Sequence, residues 1–149
     1  MDNHKIENLI KEAINARKNA YVPYSGFSVG AAVLTTCGKI FGGCNIENAA
    51  FTPGNCAERT AIHSAIANGY RSFEAIAIVG GRASIGGRAS IGGKDELIED
   101  CFPCGVCRQV LAEFCSPDFI IITASSPTTY QTHALSDLLP HSFTSNSLT

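Results

Sequence analysis

The chain lacks the features that would place it in a membrane or on a polyanion. It has no tryptophan among 149 residues, a formal net charge of −2 and no run of lysine or arginine. Its aromatic residues are not interleaved with basic ones, which disfavours a long nucleic acid as partner. The longest apolar runs, such as AIAIV at 75–79, are too short to cross a bilayer. The N-terminal segment is too charged for a signal peptide, so the sequence predicts a soluble cytoplasmic protein.

A disulfide framework is also disfavoured. Seven cysteines are an odd number, and close cysteine pairs in a chain without an export signal more often bind a metal or perform redox chemistry. Cys37 and Cys44 bracket a predicted hairpin, and Cys101 and Cys115 flank a predicted helix. These four are interpreted as small buried apolar residues.

The composition and the spacing of apolar residues indicate one globular α/β domain over residues 1–149. Hydrophobic residues make up 45% of the chain and charged residues 16%. A strand–helix–strand–helix–strand order in the middle implies a partly parallel sheet covered by helices. Apolar periodicity predicts helices over about 4–19, 56–69 and 103–115, a short helical turn at 135–140, and strands at 27–33, 40–46, 73–79, 119–123 and 128–134, followed by a polar tail.

One segment departs from a compact pattern. Residues 80–93 read GGRASIGGRASIGG, a six-residue unit that is repeated and then begun again. Its glycines do not have the spacing of a dinucleotide-binding or phosphate-binding loop. The segment is interpreted as a flexible, exposed insertion. An active-site lid is the alternative, because Arg82 or Arg88 could reach a substrate.

The candidate chemistry lies at two predicted helix starts. PCGVC places Cys104 and Cys107 on one face of a helix N-terminus, and NCAE places Cys56 at the start of another. The positive end of a helix dipole favours the thiolate, which is the form that binds metal. Three thiolates are enough for a zinc ion that keeps its fourth position open. A redox pair is the alternative for CxxC, but it would not require the distant Cys-x-Glu.

The same helix start offers a proton-transfer group. Glu58 lies in the first turn, so it can face the same ion as Cys56 although it stands only two residues away. Three cysteines already complete the protein ligands, which leaves the Glu58 carboxylate free to accept and return protons. Arg59 can offset the negative charge by hydrogen bonds to thiolate sulfur. The alternative is that Glu58 and Arg59 are ordinary solvated residues.

The motifs CAERTA and PCGVCRQV, preceded by PYSGFSVGAA and GCNIENAAF, closely resemble those of the cytidine deaminases of pyrimidine salvage. The resemblance is to the small-subunit class, whose zinc is held by three cysteines. It implies that Cys56, Cys104 and Cys107 bind zinc and that Glu58 carries protons between water and the base. It also implies a set of substrate contacts: Asn45 and Glu47 at the ribose hydroxyls, Phe27 beside the pyrimidine, the backbone of Ala57 at the base edge, and Phe143 over the base from another subunit.

The resemblance further implies the fold, the assembly and the reaction. The family has a mixed five-stranded sheet between helices, a three-layer sandwich assembled as a homotetramer with active sites at subunit contacts. Cytidine and deoxycytidine are converted to uridine and deoxyuridine with release of ammonia, and no organic cofactor is needed. In the family's pattern Phe51 is often tyrosine, so a hydrogen bond from that hydroxyl is absent here.

The sequence is also compatible with two other functions. One is a deaminase for another small cytosine compound such as a nucleoside antibiotic, although Asn45 and Glu47 make most sense as a ribose clamp. The other is a non-catalytic structural zinc module, although such sites normally have four protein ligands. The missing basic surface disfavours a polynucleotide deaminase.

Overall fold

A computed structural model describes residues 1–82 and 97–149 of the chain. Within these ranges the protein forms four α-helices, six strands and one 3₁₀ helix. In chain order they are α1 (Asn3–Arg17), β1 (Phe27–Thr35), β2 (Ile40–Cys44), α2 (Ala57–Ala67), β3 (Phe73–Arg82), β4 (Leu97–Ile98), α3 (Gly105–Phe114), β5 (Ile120–Ser126), β6 (Thr129–Ala134), α4 (Leu135–Leu138) and the 3₁₀ helix (Ser145–Leu148).

The strands form one mixed sheet. Five of them follow the order β2-β1-β3-β5-β6, and the two-residue β4 pairs with β3 beyond the point where β5 ends. The β3–β5 pair is parallel, and the other pairs of this sheet are antiparallel. Because β3 and β5 are parallel, the chain crosses over through α3 between them, and α3 therefore begins near the ends of these strands.

The sheet is buried on both faces, which makes a three-layer sandwich. On one face α1 packs through Leu9 and Ile10 against a cluster that includes Val79. On the other face α2 and α3 pack through Ile62 and Leu111 against a second cluster of strand residues. Side chains of a strand alternate between faces, so the apolar runs of β1, β3 and β5 supply both clusters.

The predicted fold class is confirmed, with differences at the edges of elements. The helix start at PCGVC begins at Gly105, so Pro103 precedes the helix rather than occupying its first position. Gly69 follows α2 with a φ of +94°, as expected for a glycine just after a helix. The two-residue β4 and the 3₁₀ helix in the tail were not predicted, because both are too short to show a periodicity. No helix in the described ranges is long and apolar enough to cross a membrane.

Two sequence predictions need correction. Residues 80–82 belong to β3, where Gly80 and Gly81 pair with β1 and with β4, so they are not part of an insertion. The remainder of the predicted insertion, apart from these residues, lies outside the described residues. Cys37 is exposed in the β1–β2 turn rather than buried, because the turn residues 36–39 all face solvent. Cys101 is buried as predicted, whereas Cys44 and Cys115 are only half-buried.

The position of α2 depends on a close approach to β2 at Gly43. A Cβ atom at Gly43 would meet the backbone nitrogen of Ala61 and would lie 2.6 Å from the backbone oxygen of Ala57. Since Ala57 is the first residue of α2, this contact fixes where the helix begins. It therefore also fixes Cys56 and Glu58 relative to the sheet.

We expect Gly43→Ala to push the start of α2 away from the sheet and to lower the free energy of unfolding by about 1–3 kcal/mol. Gly42→Ala is the matched control, because its Cβ would point to the other face and lie 3.1 Å from the Ala16 side chain. That neighbour can yield slightly, so we expect a loss below about 1 kcal/mol. Chemical denaturation of both variants measures the difference, and equal stabilities would contradict this account.

Candidate active site

Two helix N-termini bring three thiols together. Cys56 and Cys104 are the N-cap residues of α2 and α3, with extended backbone (φ −78°, ψ 154° and φ −66°, ψ 166°). Neither thiol hydrogen-bonds to the backbone of the helix that it caps, so both sulfur atoms can face the site. Cys107 lies in the first turn of α3 and is fully buried. The extended backbone of Cys56 explains how it can share a site with Glu58 two residues later.

The three sulfur atoms have a spacing that suits zinc. All three lie within 4.8 Å of one another, and the Sγ atoms of Cys56 and Cys104 are 3.9 Å apart. Zn–S bonds of 2.3 Å in a tetrahedron would place two sulfurs about 3.8 Å apart. Within the described residues, no other three cysteine, histidine or carboxylate groups meet in this way. The predicted ligands therefore form a cluster that is able to hold a metal ion.

The thiols of Cys56 and Cys107 differ in how readily they ionise. The interaction with Cys107 lowers the pKa of Cys56 to about 5, and a hydrogen bond from Arg59 acts in the same direction. The same interaction, together with burial, raises the pKa of Cys107 above its usual range. Arg59 Nη2 donates to Cys56 Sγ at 3.2 Å, as the sequence predicted. Its guanidinium thus offsets the negative charge that develops at the cluster.

Glu58 is placed behind the cluster rather than in solvent. Only 5% of its surface is exposed, and burial, reinforced by the negative charge of Cys56, raises the pKa of its carboxyl to about 7. A carboxyl group with a pKa near neutrality can both accept and release a proton under ordinary conditions. The alternative interpretation of Glu58 as a solvated surface residue is therefore wrong.

A cleft of about 630 Å³ opens beside the thiol cluster. Cys56 and Arg59 line it, together with the segments that contain Asn45, Glu47 and Phe51. The volume falls within the range of about 300–1,000 Å³ that is common for sites of small organic ligands. The cleft therefore places the two predicted ribose contacts within one cavity that also reaches a predicted metal ligand.

Asn45 and Glu47 are both fixed by backbone groups. Asn45 Nδ2 donates to the Phe27 carbonyl at 2.9 Å, and Asn45 Oδ1 accepts from the Val29 N–H at 2.8 Å. Glu47 Oε1 accepts from the N–H groups of Tyr24 and Ser25 at 3.0 and 3.1 Å. Burial opposes ionisation of Glu47, but hydrogen bonds from the Ser25 side chain and from the backbone of Ser25 and Tyr24 outweigh it and lower the pKa of its carboxyl. Each side chain keeps further hydrogen-bonding capacity for a ligand.

The other three predicted substrate contacts do not line this cleft. The Phe27 ring packs toward the core beside Gly80, and Ala57 is fully buried at the start of α2. Phe143 is 61% exposed, and its carbonyl accepts a hydrogen bond from Gln109 Nε2 at 2.8 Å. The structure of the single chain thus does not bring Phe143 into the cleft.

Sequence reasoning noted Phe51 only for the hydroxyl it lacks, and it missed Tyr24 and Arg108, although all three shape the site. Tyr24 and Phe51 line the cleft and form an edge-to-face pair with ring centroids 6.5 Å apart. Phe51 is 80% exposed and has a left-handed backbone (φ 58°), which is unusual for a bulky residue. Arg108 donates to the carbonyls of Pro103 and Leu138, both at 2.7 Å, and so holds the loop before Cys104. The motifs contain these residues, but the backbone partners that define their roles have no sequence signal.

A fold with helices on both faces of a mixed sheet and a thiol cluster beside a buried carboxylate defines a zinc-site enzyme. The model of the cytidine and deoxycytidylate deaminase zinc-binding region matches residues 3–123. The chain belongs to this deaminase family, and zinc is the metal of the family.

Relatives and solved structures agree with this assignment. The chain is 42% identical over 143 residues to the cytidine deaminase of Sporosarcina psychrophila, covering 96% of this chain and 94% of that protein. A crystal structure of cytidine deaminase from Burkholderia pseudomallei is 41% identical, covers 96% of this chain and 100% of its own, and has a TM-score of 0.78. Blasticidin-S deaminase of Bacillus cereus is 30% identical over 118 residues, covering 79% of this chain and 78% of that protein.

Cys104→Ala should reduce zinc content and stability together, because two thiolates remain and metal affinity contributes to folding. We expect substoichiometric zinc by elemental analysis and a lower melting temperature than the parent. Cys115→Ala is the control, since Cys115 is a free, half-buried thiol outside the cluster. It should keep one zinc per chain. Full zinc occupancy in Cys104→Ala would remove Cys104 from the ligand set.

Proposed function

We propose that the protein catalyses the zinc-dependent hydrolysis of cytidine and deoxycytidine to uridine and deoxyuridine, with release of ammonia. The observation that carries this proposal is the buried Glu58 carboxyl beside three convergent thiols. Similarity to cytidine deaminases over most of the chain supports the choice of substrate.

Cys56, Cys104 and Cys107 would hold the zinc ion. Bound there, zinc would supply Lewis-acid chemistry and would lower the pKa of a coordinated water toward ~7. Arg59 would keep Cys56 ionised by its hydrogen bond to sulfur. The chain's own contribution to charge balance is therefore one guanidinium and two helix N-termini.

Glu58 would move the protons. It would take one proton from the attacking water and deliver it to N3 of the pyrimidine, which makes C4 electrophilic enough for the remaining hydroxide to add. It would then deliver the second proton of that water to the departing amino nitrogen, so that ammonia leaves and the carbonyl of uridine forms. Burial keeps this carboxyl away from bulk water, which would otherwise compete for its proton.

Asn45 and Glu47 would bind the ribose hydroxyls from the cleft wall. Their fixed geometry supports this role, because a ligand would not have to pay for ordering either side chain. Phe27 would contact the pyrimidine, and the backbone of Ala57 would meet the base edge. The exposure of Phe143 suits a contact with the base bound by a neighbouring subunit, so the proposal includes a homotetramer.

The proposal also includes a place in pyrimidine salvage in the cytoplasm. All seven cysteines are free thiols, which suits a reducing compartment. The structural zinc module is the weaker alternative, because it gives no reason to bury a carboxyl beside the thiols. The antibiotic alternative is weaker because the similarity to blasticidin-S deaminase is lower than that to cytidine deaminases.

Glu58→Gln should keep zinc and fold but lose nearly all turnover of cytidine, because an amide of the same shape cannot accept and return a proton. General acid–base catalysis is worth about 10²–10⁴-fold, and two proton transfers depend on this group. The loss of cytidine absorbance, followed with and without a chelator, measures the effect. Activity within about tenfold of the parent would remove Glu58 from the mechanism.

Asn45→Ala and Glu47→Ala should each raise KM and lower kcat/KM for cytidine while zinc stays bound. Each leaves a ribose hydroxyl unpaired in the cleft, at a cost of about 1–3 kcal/mol. Asn48→Ala is the control, since Asn48 lines the same cleft but its Oδ1 accepts from the Ala50 N–H. Parental kinetics in both variants, or faster turnover of blasticidin S than of cytidine, would favour the antibiotic alternative.

A further inference from the structure

Arg17 is a buried guanidinium that the proposed reaction does not use. It is the last residue of α1 and is only 3% exposed. Its Nε atom donates to the Ser28 carbonyl at 2.9 Å, and Nη2 donates to the carbonyls of Gly81 and Arg82 at 3.1 and 3.3 Å. Burying a charged group is costly, and these three hydrogen bonds to backbone carbonyls offset part of that cost. They also fix the position of the Arg17 guanidinium relative to β1 and β3.

In β1, Arg17 binds the same three-residue segment, residues 27–29, that holds Asn45. Asn45 bonds to the Phe27 carbonyl and the Val29 N–H, which flank Ser28. Successive carbonyls of a strand point to opposite edges, so Ser28 faces the β3 side while its two neighbours face Asn45. Arg17 and Asn45 therefore bind three consecutive residues of β1 from opposite edges.

We propose that Arg17 is a positioning residue for Asn45: its hydrogen bond to Ser28 fixes the peptide segment that orients the Asn45 amide at the cleft. This inference rests on the proposed role of Asn45 at the ribose. Ser28 also pairs with Gly81 of β3, so Arg17 is a second anchor for the Ser28 peptide. If that second anchor is lost, the Phe27 and Val29 peptides can shift, and the amide moves with them. Small errors in the position of a binding group are enough to weaken substrate binding.

Glu47 provides an internal contrast. Its carboxylate is held by the N–H groups of Tyr24 and Ser25. This anchor is joined to β1 through Ser25 Oγ, which accepts from the Phe27 N–H at 3.0 Å. Asn45 binds the Phe27 and Val29 peptides directly, whereas Glu47 is coupled to them through Ser25, so a change at Arg17 should disturb the contact of Asn45 more than that of Glu47. This difference separates positioning of one side chain from general weakening of the fold.

The test is a double-mutant cycle on the zinc-loaded enzyme with cytidine as substrate. Arg17→Met, which keeps an apolar stem without donors, should raise KM roughly tenfold with kcat within about twofold. In the Asn45→Ala background the same change should raise KM less than about twofold, whereas in the Glu47→Ala background most of the effect should persist. Zinc content should stay at the parental level in each variant.

Two further variants keep the test decisive. Ser28→Ala removes a hydroxyl that donates to the Gly81 carbonyl at 3.4 Å in the same corner of the sheet, but keeps the carbonyl that Arg17 binds, so KM should not change. If Arg17→Met does not fold, the double-mutant cycle is made with Arg17→Lys instead, because lysine keeps the positive charge but lacks the forked donors of the guanidinium. We expect it to raise KM in the parent and the Glu47→Ala background and not in the Asn45→Ala background.

The outcomes separate this inference from the proposed function. Equal effects of the Arg17 change in the Asn45→Ala and Glu47→Ala backgrounds, or a lower kcat at unchanged KM, would show a purely structural role and overturn the inference while leaving the function intact. A parent that does not deaminate cytidine would overturn the proposed function. An Asn45→Ala variant with parental KM would overturn the ribose role of Asn45. Because the inference depends on both the proposed function and this role, either result would overturn it as well.

Discussion

The meeting of two helix N-termini is the constraint on which the site depends. Three sulfur atoms lie within 4.8 Å of one another, and as metal ligands they would all carry negative charge. Such a cluster requires positive potential from the protein itself, and the starts of α2 and α3 supply it together with the Arg59 guanidinium. The sheet keeps both helices on one face, so that their first turns converge.

The same arrangement explains why Glu58 is buried. Cys56 has to leave the helix path to reach the other thiols, and it does so as the N-cap of α2. The next turn then directs Glu58 inward, where burial and the neighbouring thiolate raise the pKa of its carboxyl. The perturbed carboxyl is thus a consequence of placing a cysteine ligand at a helix start two residues earlier. Geometry that assembles the metal site also prepares the proton-transfer group.

The sequence was sufficient to predict the helices, the main strands and the cysteine cluster. It was insufficient for features that depend on strand pairing or on tertiary packing. Apolar periodicity predicted the helices, the main strands and the parallel crossover, and the motifs predicted Cys56, Cys104 and Cys107 as neighbours. Gly80 and Gly81 were misassigned, because a glycine-rich repeat reads as a linker although its first residues complete β3. Burial of Cys37 was wrong because its hairpin turn extends into solvent, a property of tertiary packing that local sequence does not carry.

Polar side chains around the cleft are held mainly by backbone groups. Asn45 binds β1 peptides, Glu47 binds two N–H groups, and Arg108 binds the carbonyls of Pro103 and Leu138. Backbone partners remain when neighbouring side chains change, so the orientation of these groups depends on strand register and loop path more than on individual neighbours. The cost of ordering the site is therefore met during folding, and a small substrate can bind a cleft whose walls are already fixed.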